Sequence, residues 1–192
     1  MTDTSTRRLF LLSPANCSGK RAGYLLNGNS SFPLALQLRS GDGATIGDVF
    51  TFMSALYFRG KIAYATAFAR PPRGWDGVQV IVPGRGIRPA SERIDLETLR
   101  QVASVEVDLE DRRYTRPLKR DAARLARELL PTDSVVLLGS VATRKYLEPL
   151  RDVLGPRLRY PQAFVGLGDM SRGSLMLRCA ADGRELTYVQ PG

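Results

Sequence analysis

Three short apolar runs punctuate the chain, at residues 8–12 (RLFLL), 78–82 (VQVIV) and 135–138 (VVLL). Runs of this length, bounded by turn residues, predict strands buried on both faces, as in a parallel sheet. Between them the apolar spacing shifts to three and four residues, which is the helical period. Helices are predicted over residues 21–27, 33–39, 49–69, 95–103, 117–130 and 141–154. Asp48 is placed to cap helix 49–69, with Gly60 as a point of interruption and Pro71-Pro72 as its stop. Pro117 suits the first position of helix 117–130. There Leu118, Ala122, Leu125 and Leu129 share one face, and Lys119, Arg120, Arg124 and Arg127 the other. Residues 104–108 alternate and predict a strand. Residues 174–179 and 185–189 predict two more, joined through Asp182-Gly183, a strong hairpin signal.

Strands alternating with helices imply an α/β fold: a mainly parallel central sheet flanked by helices, with a C-terminal β-hairpin at the edge. No repeat or long linker divides the chain, so residues 1–192 read as a single domain with residues 1–7 as a loose tail. Ligands of open α/β sheets bind beyond the carboxyl ends of the strands. That rule selects the loops 13–20, 83–89, 139–140 and 160–173.

Charge sharpens the picture. Lys and Arg number 28 against 19 Asp and Glu, a net +9 over 192 residues. Such an excess attracts a polyanion, and nucleic acid, DNA before RNA, is the expected partner. The bland reading is an arginine-rich but inert surface. The chain has no histidine, which excludes a Ser-His-Asp triad, a Cys-His pair and any His-ligated zinc site. A general base must then be Asp, Glu, Lys, Tyr or Cys. Cys17 and Cys179 form no disulfide framework and have no metal-ligand spacing, and no motif calls for a metal or cofactor. Residues 9–12 are too short for a signal-peptide core, and no run approaches a membrane span. A cytoplasmic protein with no membrane partner is therefore expected; no protein partner is legible.

Three loops carry candidate chemistry. In SPANCSGK (residues 13–20), Ser18-Gly19-Lys20 resembles a phosphate loop. Pro14 stands where a Walker A glycine belongs, however, and Arg21 where Ser or Thr would follow. Ser18, Gly19, Lys20 and Arg21 remain candidates for holding an anion, against an ordinary strand-to-helix turn. Asn16 is a candidate for orienting a water or a base edge, against a local helix cap. Helix-dipole and Lys20 effects are expected to lower the Cys17 pKa, although burial as a small apolar residue is the plainer role. In residues 160–173 (YPQAFVGLGDMSRG), Asp169 and Arg172 offer a carboxylate for water and a guanidinium for phosphate, against a simple internal ion pair. Arg85 and Arg88, set among glycines, suit a backbone clamp. The aromatics of helix 49–69 read mostly as core, with Tyr57 or Phe58, just before Arg59, placed to stack on a base.

Residues 12–16 (LSPAN), 137–142 (LLGSVA) and 160–172 resemble, in order, the water-positioning loop, the LLGxxA turn at Ser140 and the Pro-containing minor-groove loop of the uracil-DNA glycosylase superfamily. The resemblance departs at the last motif, where that family usually has a histidine; Asp169, Arg172 or backbone N–H groups would take its place. It implies a monofunctional DNA N-glycosylase, a hydrolase that flips a damaged or modified base into an α/β pocket. Asn16 or Asp169 would orient water, without a cofactor, in base-excision repair or in antiviral defence against hypermodified phage DNA. Three alternatives share the same features: a tRNA-base-modifying enzyme similar to archaeosine-type cores, a nucleotide- or sugar-phosphate-binding enzyme, and a noncatalytic nucleic-acid-binding domain.

Overall fold

A computed structural model describes residues 6–192. In chain order its elements are β1 (Arg8–Leu12), α1 (Lys20–Leu26), α2 (Pro33–Arg39), β2 (Ala44–Thr45), α3 (Ile46–Phe68), β3 (Val78–Val82), β4 (Gly86–Pro89), β5 (Arg93–Ile94) and α4 (Leu96–Ala103). Then follow α5 (Arg112–Glu128), β6 (Ser134–Leu138), α6 (Arg144–Leu154), β7 (Leu158–Pro161), α7 (Asp169–Ala181) and β8 (Tyr188–Val189). The fold is α/β. Its main sheet has the order β4-β3-β1-β6-β7-β8, and β2 pairs with β5 in a separate ribbon. β3, β1, β6 and β7 run parallel, while β4 and β8 pair antiparallel at the two edges.

The apolar runs are central because both faces of their strands are covered. Phe10, Leu12, Val80, Val82, Val136 and Leu138 point into one core, with Leu38 of α2, Phe50 and Tyr64 of α3, Leu99 of α4 and Met176 of α7. Leu9, Leu11, Ile81, Val135 and Leu137 point into the other, with Leu118 and Leu125 of α5 and Leu150 of α6. The chain crosses first to one side of β1, at β3, and later to the other, at β6. The strand order therefore reverses between β1 and β6, where a crevice opens at the carboxyl ends.

Several expectations fail for identifiable reasons. The antiparallel pair at the C-terminal edge is present, but β7 and β8 make it. Residues 174–179 are not a strand: they lie inside α7, whose buried residues Arg172, Gly173, Met176 and Cys179 recur at helical spacing. Asp182-Gly183 ends that helix. Gly183, at φ 62°, lets the Arg184 N–H turn back to the Cys179 carbonyl at 2.9 Å. The loop 160–173 is thereby shortened at both ends, by β7 and by α7. Residues 86–89, expected as loop, pair with β3. Residues 104–108 form no strand despite their alternation.

Helix starts also differ. Thr45, not Asp48, caps α3, its hydroxyl accepting from the Asp48 N–H at 3.1 Å. Asp111 caps α5 through the Arg113 N–H at 2.8 Å, which leaves Pro117 inside the helix. Helix α6 begins at Arg144, so the turn after β6 runs on from Gly139 to Thr143. Of the expected tail, residues 1–5 lie outside the described residues, and Arg7 is bound to Asp133 through two hydrogen bonds, at 2.8 and 2.7 Å. No helix among the described residues is long and apolar enough to cross a membrane.

Candidate active site

A pocket of about 560 Å³ opens at the carboxyl ends of β1, β3 and β6. Its lining comes from segments far apart in the chain. Ser13, Asn16 and Ser18 follow β1; Ser54 and Tyr57 belong to α3; Pro83 follows β3. Glu106 and Asp108 come from the segment after α4, Ser140 follows β6, Lys145 and Tyr146 lie on α6, and Asp169 opens α7. Of the candidates read from the sequence, Asn16, Ser18, Tyr57, Ser140 and Asp169 thus meet in one place.

The backbone makes this convergence possible at three points. Gly139 lets the end of β6 approach β1: a Cβ there would stand 2.8 Å from the Ser13 Cβ. Helix α3 is bent at Ala55, whose φ of 44° and ψ of −120° are unfavourable for an L-residue. Ser54 and Tyr57, on either side of that bend, both line the pocket. Gly60 does not interrupt the helix; it and Gly173 bring α3 and α7 into backbone contact. A Cβ on Gly60 would lie 2.6 Å from the Gly173 carbonyl oxygen, and one on Gly173 would lie 2.9 Å from the Tyr57 Cα.

That close crossing encloses Lys61, which is 1 % exposed. Its Nζ donates to the Ser13 carbonyl at 3.1 Å and meets the Ser13 Oγ at 2.7 Å. The ammonium also lies 4.0 Å from the Tyr57 ring centroid and 5.2 Å from that of Phe58. Burial pushes the Lys61 pKa down to about 7; Asp169 opposes the shift and Arg172 adds to it. The Tyr57 hydroxyl is buried without a hydrogen bond of good geometry, although the Arg172 guanidinium stands near enough to favour its ionised form, and it has no acceptor for its own proton. Its pKa is pushed up to about 12 by burial, with Arg172 pulling the other way. Arg172 is 4 % exposed, bonded to the Phe164 carbonyl and to Asp169, each at 3.3 Å. The Asp169–Arg172 ion pair read as the plain alternative is therefore formed, with the carboxylate still on the pocket wall.

The lining carries three carboxylates, Glu106, Asp108 and Asp169, together with the amine of Lys145. Two buried basic side chains stand behind it, Lys61 against Ser13 and Arg172 against Asp169, and neither is part of the lining. Among the described residues, no group of three or more His, Cys, Asp or Glu is arranged to hold a metal ion.

Other candidates stand elsewhere. Phe58 is fully buried against Phe50 and cannot stack on a ligand. Arg59 is exposed on α3 outside the pocket. Arg21 is spent on Phe52, donating to its carbonyl at 2.6 Å and lying over its ring. Gly19 and the exposed Lys20 begin α1 beside the pocket without lining it. Cys17 has its pKa raised to about 11 by burial, opposite to the expected direction. The Asn16 Oδ1 accepts from the Ser18 N–H at 3.0 Å and the Ser18 hydroxyl at 2.7 Å, which leaves Nδ2 as its ligand-facing function.

A second groove adjoins the pocket and shares Pro83 and Val105 with it. Arg85, Arg113, Arg116 and Arg120 line this groove. Arg88 does not line it; its guanidinium donates to the Arg85 carbonyl at 3.1 Å and so buttresses the turn. Sequence reasoning missed Ser13, Lys61, Glu106, Asp108, Lys145 and Tyr146. Lys61 had left a signal: it is a charge on the buried stripe of α3, four residues after Tyr57 and three before Tyr64. Compared with models of known protein families, with curated proteins and with solved structures, the chain matches none.

Proposed function

We propose that the protein is a DNA glycosylase that flips a damaged or modified base into the pocket beyond β1, β3 and β6 and hydrolyses its N-glycosidic bond, in repair or in defence against phage DNA. The observation that carries this reading is a pocket lined by three carboxylates, with a buried amine behind its Ser13. Cleaving an N-glycosidic bond leaves positive charge on the sugar and negative charge on the base, and catalysis requires dipoles aimed at both. Glu106, Asp108 and Asp169 on the lining suit the sugar cation, and Ser13, with the Lys61 amine behind it, suits the base. A volume of about 560 Å³ is in the range of small-ligand sites and accommodates a flipped nucleoside.

Asp169 is the better placed of the two water-orienting candidates, because the Asn16 carbonyl oxygen is already engaged by Ser18. The Asn16 amide would instead donate to a base edge or phosphate. The adjoining arginine groove supplies the sequence-independent hold on the backbone that a base-flipping enzyme needs.

An abasic-site assay tests the proposal. Duplexes carrying uracil, oxidised or alkylated bases, or hypermodified phage pyrimidines are incubated with the protein and then treated with alkali. Strand cleavage is expected on one class. It should fall by roughly 100-fold or more in Asp169→Ala and by less in Asn16→Ala. Salt-sensitive DNA binding without cleavage on any duplex would overturn the reading in favour of a binding domain.

A further inference from the structure

Resting on the glycosylase reading, one question concerns the departing base. A base leaving with the bond's electron pair needs a proton or a strong hydrogen bond, and this chain has no histidine to supply it. The pocket lining holds a different donor. Ser13 lines the pocket, and the Lys61 Nζ stands 2.7 Å from its Oγ, out of reach of solvent. Among the described residues no carboxylate bonds to Lys61; its oxygen partners both belong to Ser13, and the Tyr57 and Phe58 rings lie against it. Beside it, the Tyr57 hydroxyl is buried on the pocket lining with no acceptor for its proton. A buried cation and a buried donor without acceptors are costly to maintain unless a ligand supplies negative charge.

We infer that Lys61, acting through the Ser13 hydroxyl, is the acid that protonates the departing base, and that the pocket is built for bases that would leave as anions without that proton. In the step, the bond from C1′ to the base nitrogen breaks and its electron pair goes to the base ring. The Ser13 Oγ–H gives its proton to a base carbonyl or ring nitrogen while Oγ takes one from the Lys61 ammonium, leaving a neutral amine. Water adds to C1′ and its proton passes to Asp169; Asp169 releases it to solvent, and the Ser13 hydroxyl on the lining relays one proton back to Lys61. The sum is a free base, a sugar hydroxyl and one water consumed. A hydroxyl can do this because it accepts and donates at once. The Tyr57 hydroxyl offers the base a second hydrogen bond.

The relay is read by leaving-group dependence. Single-turnover release is compared on duplexes bearing uracil and 5-fluorouracil, the fluorinated base being the better anion, and 7-methylguanine, a cationic base that leaves neutral. Lys61→Met and Ser13→Ala are each expected to lose about 100-fold or more on uracil, but markedly less on 5-fluorouracil. Asp169→Ala should lose equally on both. Equal losses for the Lys61 and Ser13 variants, no loss, or release of 7-methylguanine alone would overturn the inference and leave the glycosylase reading standing. Ser13→Ala keeps the test decisive if Lys61→Met fails to fold.

Calorimetric binding of free 5-fluorouracil separates the remaining cases. Binding weakened at least tenfold by Lys61→Met, with no base released from any duplex, supports the anion site and sinks the glycosylase reading. Neither binding nor release overturns both.

Discussion

Lys61 illustrates how a single residue ties the site to stability. In an unfolded chain its amine titrates near 10.5; in the fold, burial holds it at about 7. Below about pH 7 both states carry the proton, and the cost of burying it is felt in full. Between those values the unfolded chain binds a proton that the folded chain has released, so stability rises with pH through this window. The groups facing Lys61 are Ser13 after β1, Tyr57 and Phe58 on α3, and Asp169 and Arg172 on α7. Tyr57 titrates above the window, near 12. Urea midpoints measured from about pH 6.5 to about 9.5 should therefore climb in the native protein relative to Lys61→Met. Parallel curves for the two proteins would assign the dependence to another group.

At the scale of elements, the α3–α7 crossing decides the site. Gly173→Ala places a methyl group against the Tyr57 Cα and the Leu56 carbonyl, both backbone and unable to rotate away. A loss of about 1–3 kcal/mol is expected, together with a raised KM as Tyr57 and Asp169 are pushed apart; thermal melting and steady-state kinetics measure the two. An unchanged melting temperature would mean that the helices have room to separate.

This crossing also explains what the sequence could and could not convey. The apolar runs at β1, β3 and β6 were legible because strands buried on both faces have no polar alternation. Asn16, Ser18, Ser140, Tyr57 and Asp169 were legible because loops at strand ends, and an aromatic beside a charge, are local features. The segment 174–179 misled because Leu175 and Leu177 mimic a two-residue period, while the stripe that matters, from Arg172 to Cys179, includes a buried arginine and a glycine. Glu106 and Asp108 were hidden inside an apparent strand, and Ser13 with Lys61 is a contact 48 residues apart that no local pattern encodes.

At the scale of the molecule, the count of arginines and the net charge part company. Arg85, Arg113, Arg116 and Arg120 gather in the groove next to the pocket, and three of the four face carboxylates. Arg85 and Arg120 are paired with Glu92 and Asp121, and Arg113 with Asp111, so the groove is held in shape before any ligand arrives. Replacing Arg113 and Arg116 together with alanine should weaken DNA binding about equally for all sequences. It should also reduce the slope of log affinity against log salt by about 0.9 for each phosphate no longer neutralised. Fluorescence anisotropy over a salt series reads both. An unchanged slope, or no binding at all, would remove this groove from the proposed function.

The lining of the pocket spans the chain from Ser13 to Asp169, and α7, which packs against α3 beside Lys61, comes after β1, β3 and β6 in the chain. During synthesis a nascent chain can assemble β1, β3 and β6 and still have Lys61 open to water on the side where α7 will pack. In that state the amine is solvated and keeps an ordinary ammonium pKa. The docking of α7 is thus what removes water from Lys61, and a ribosome-bound chain that has not yet emerged past Asp169 still carries it as a solvated ammonium.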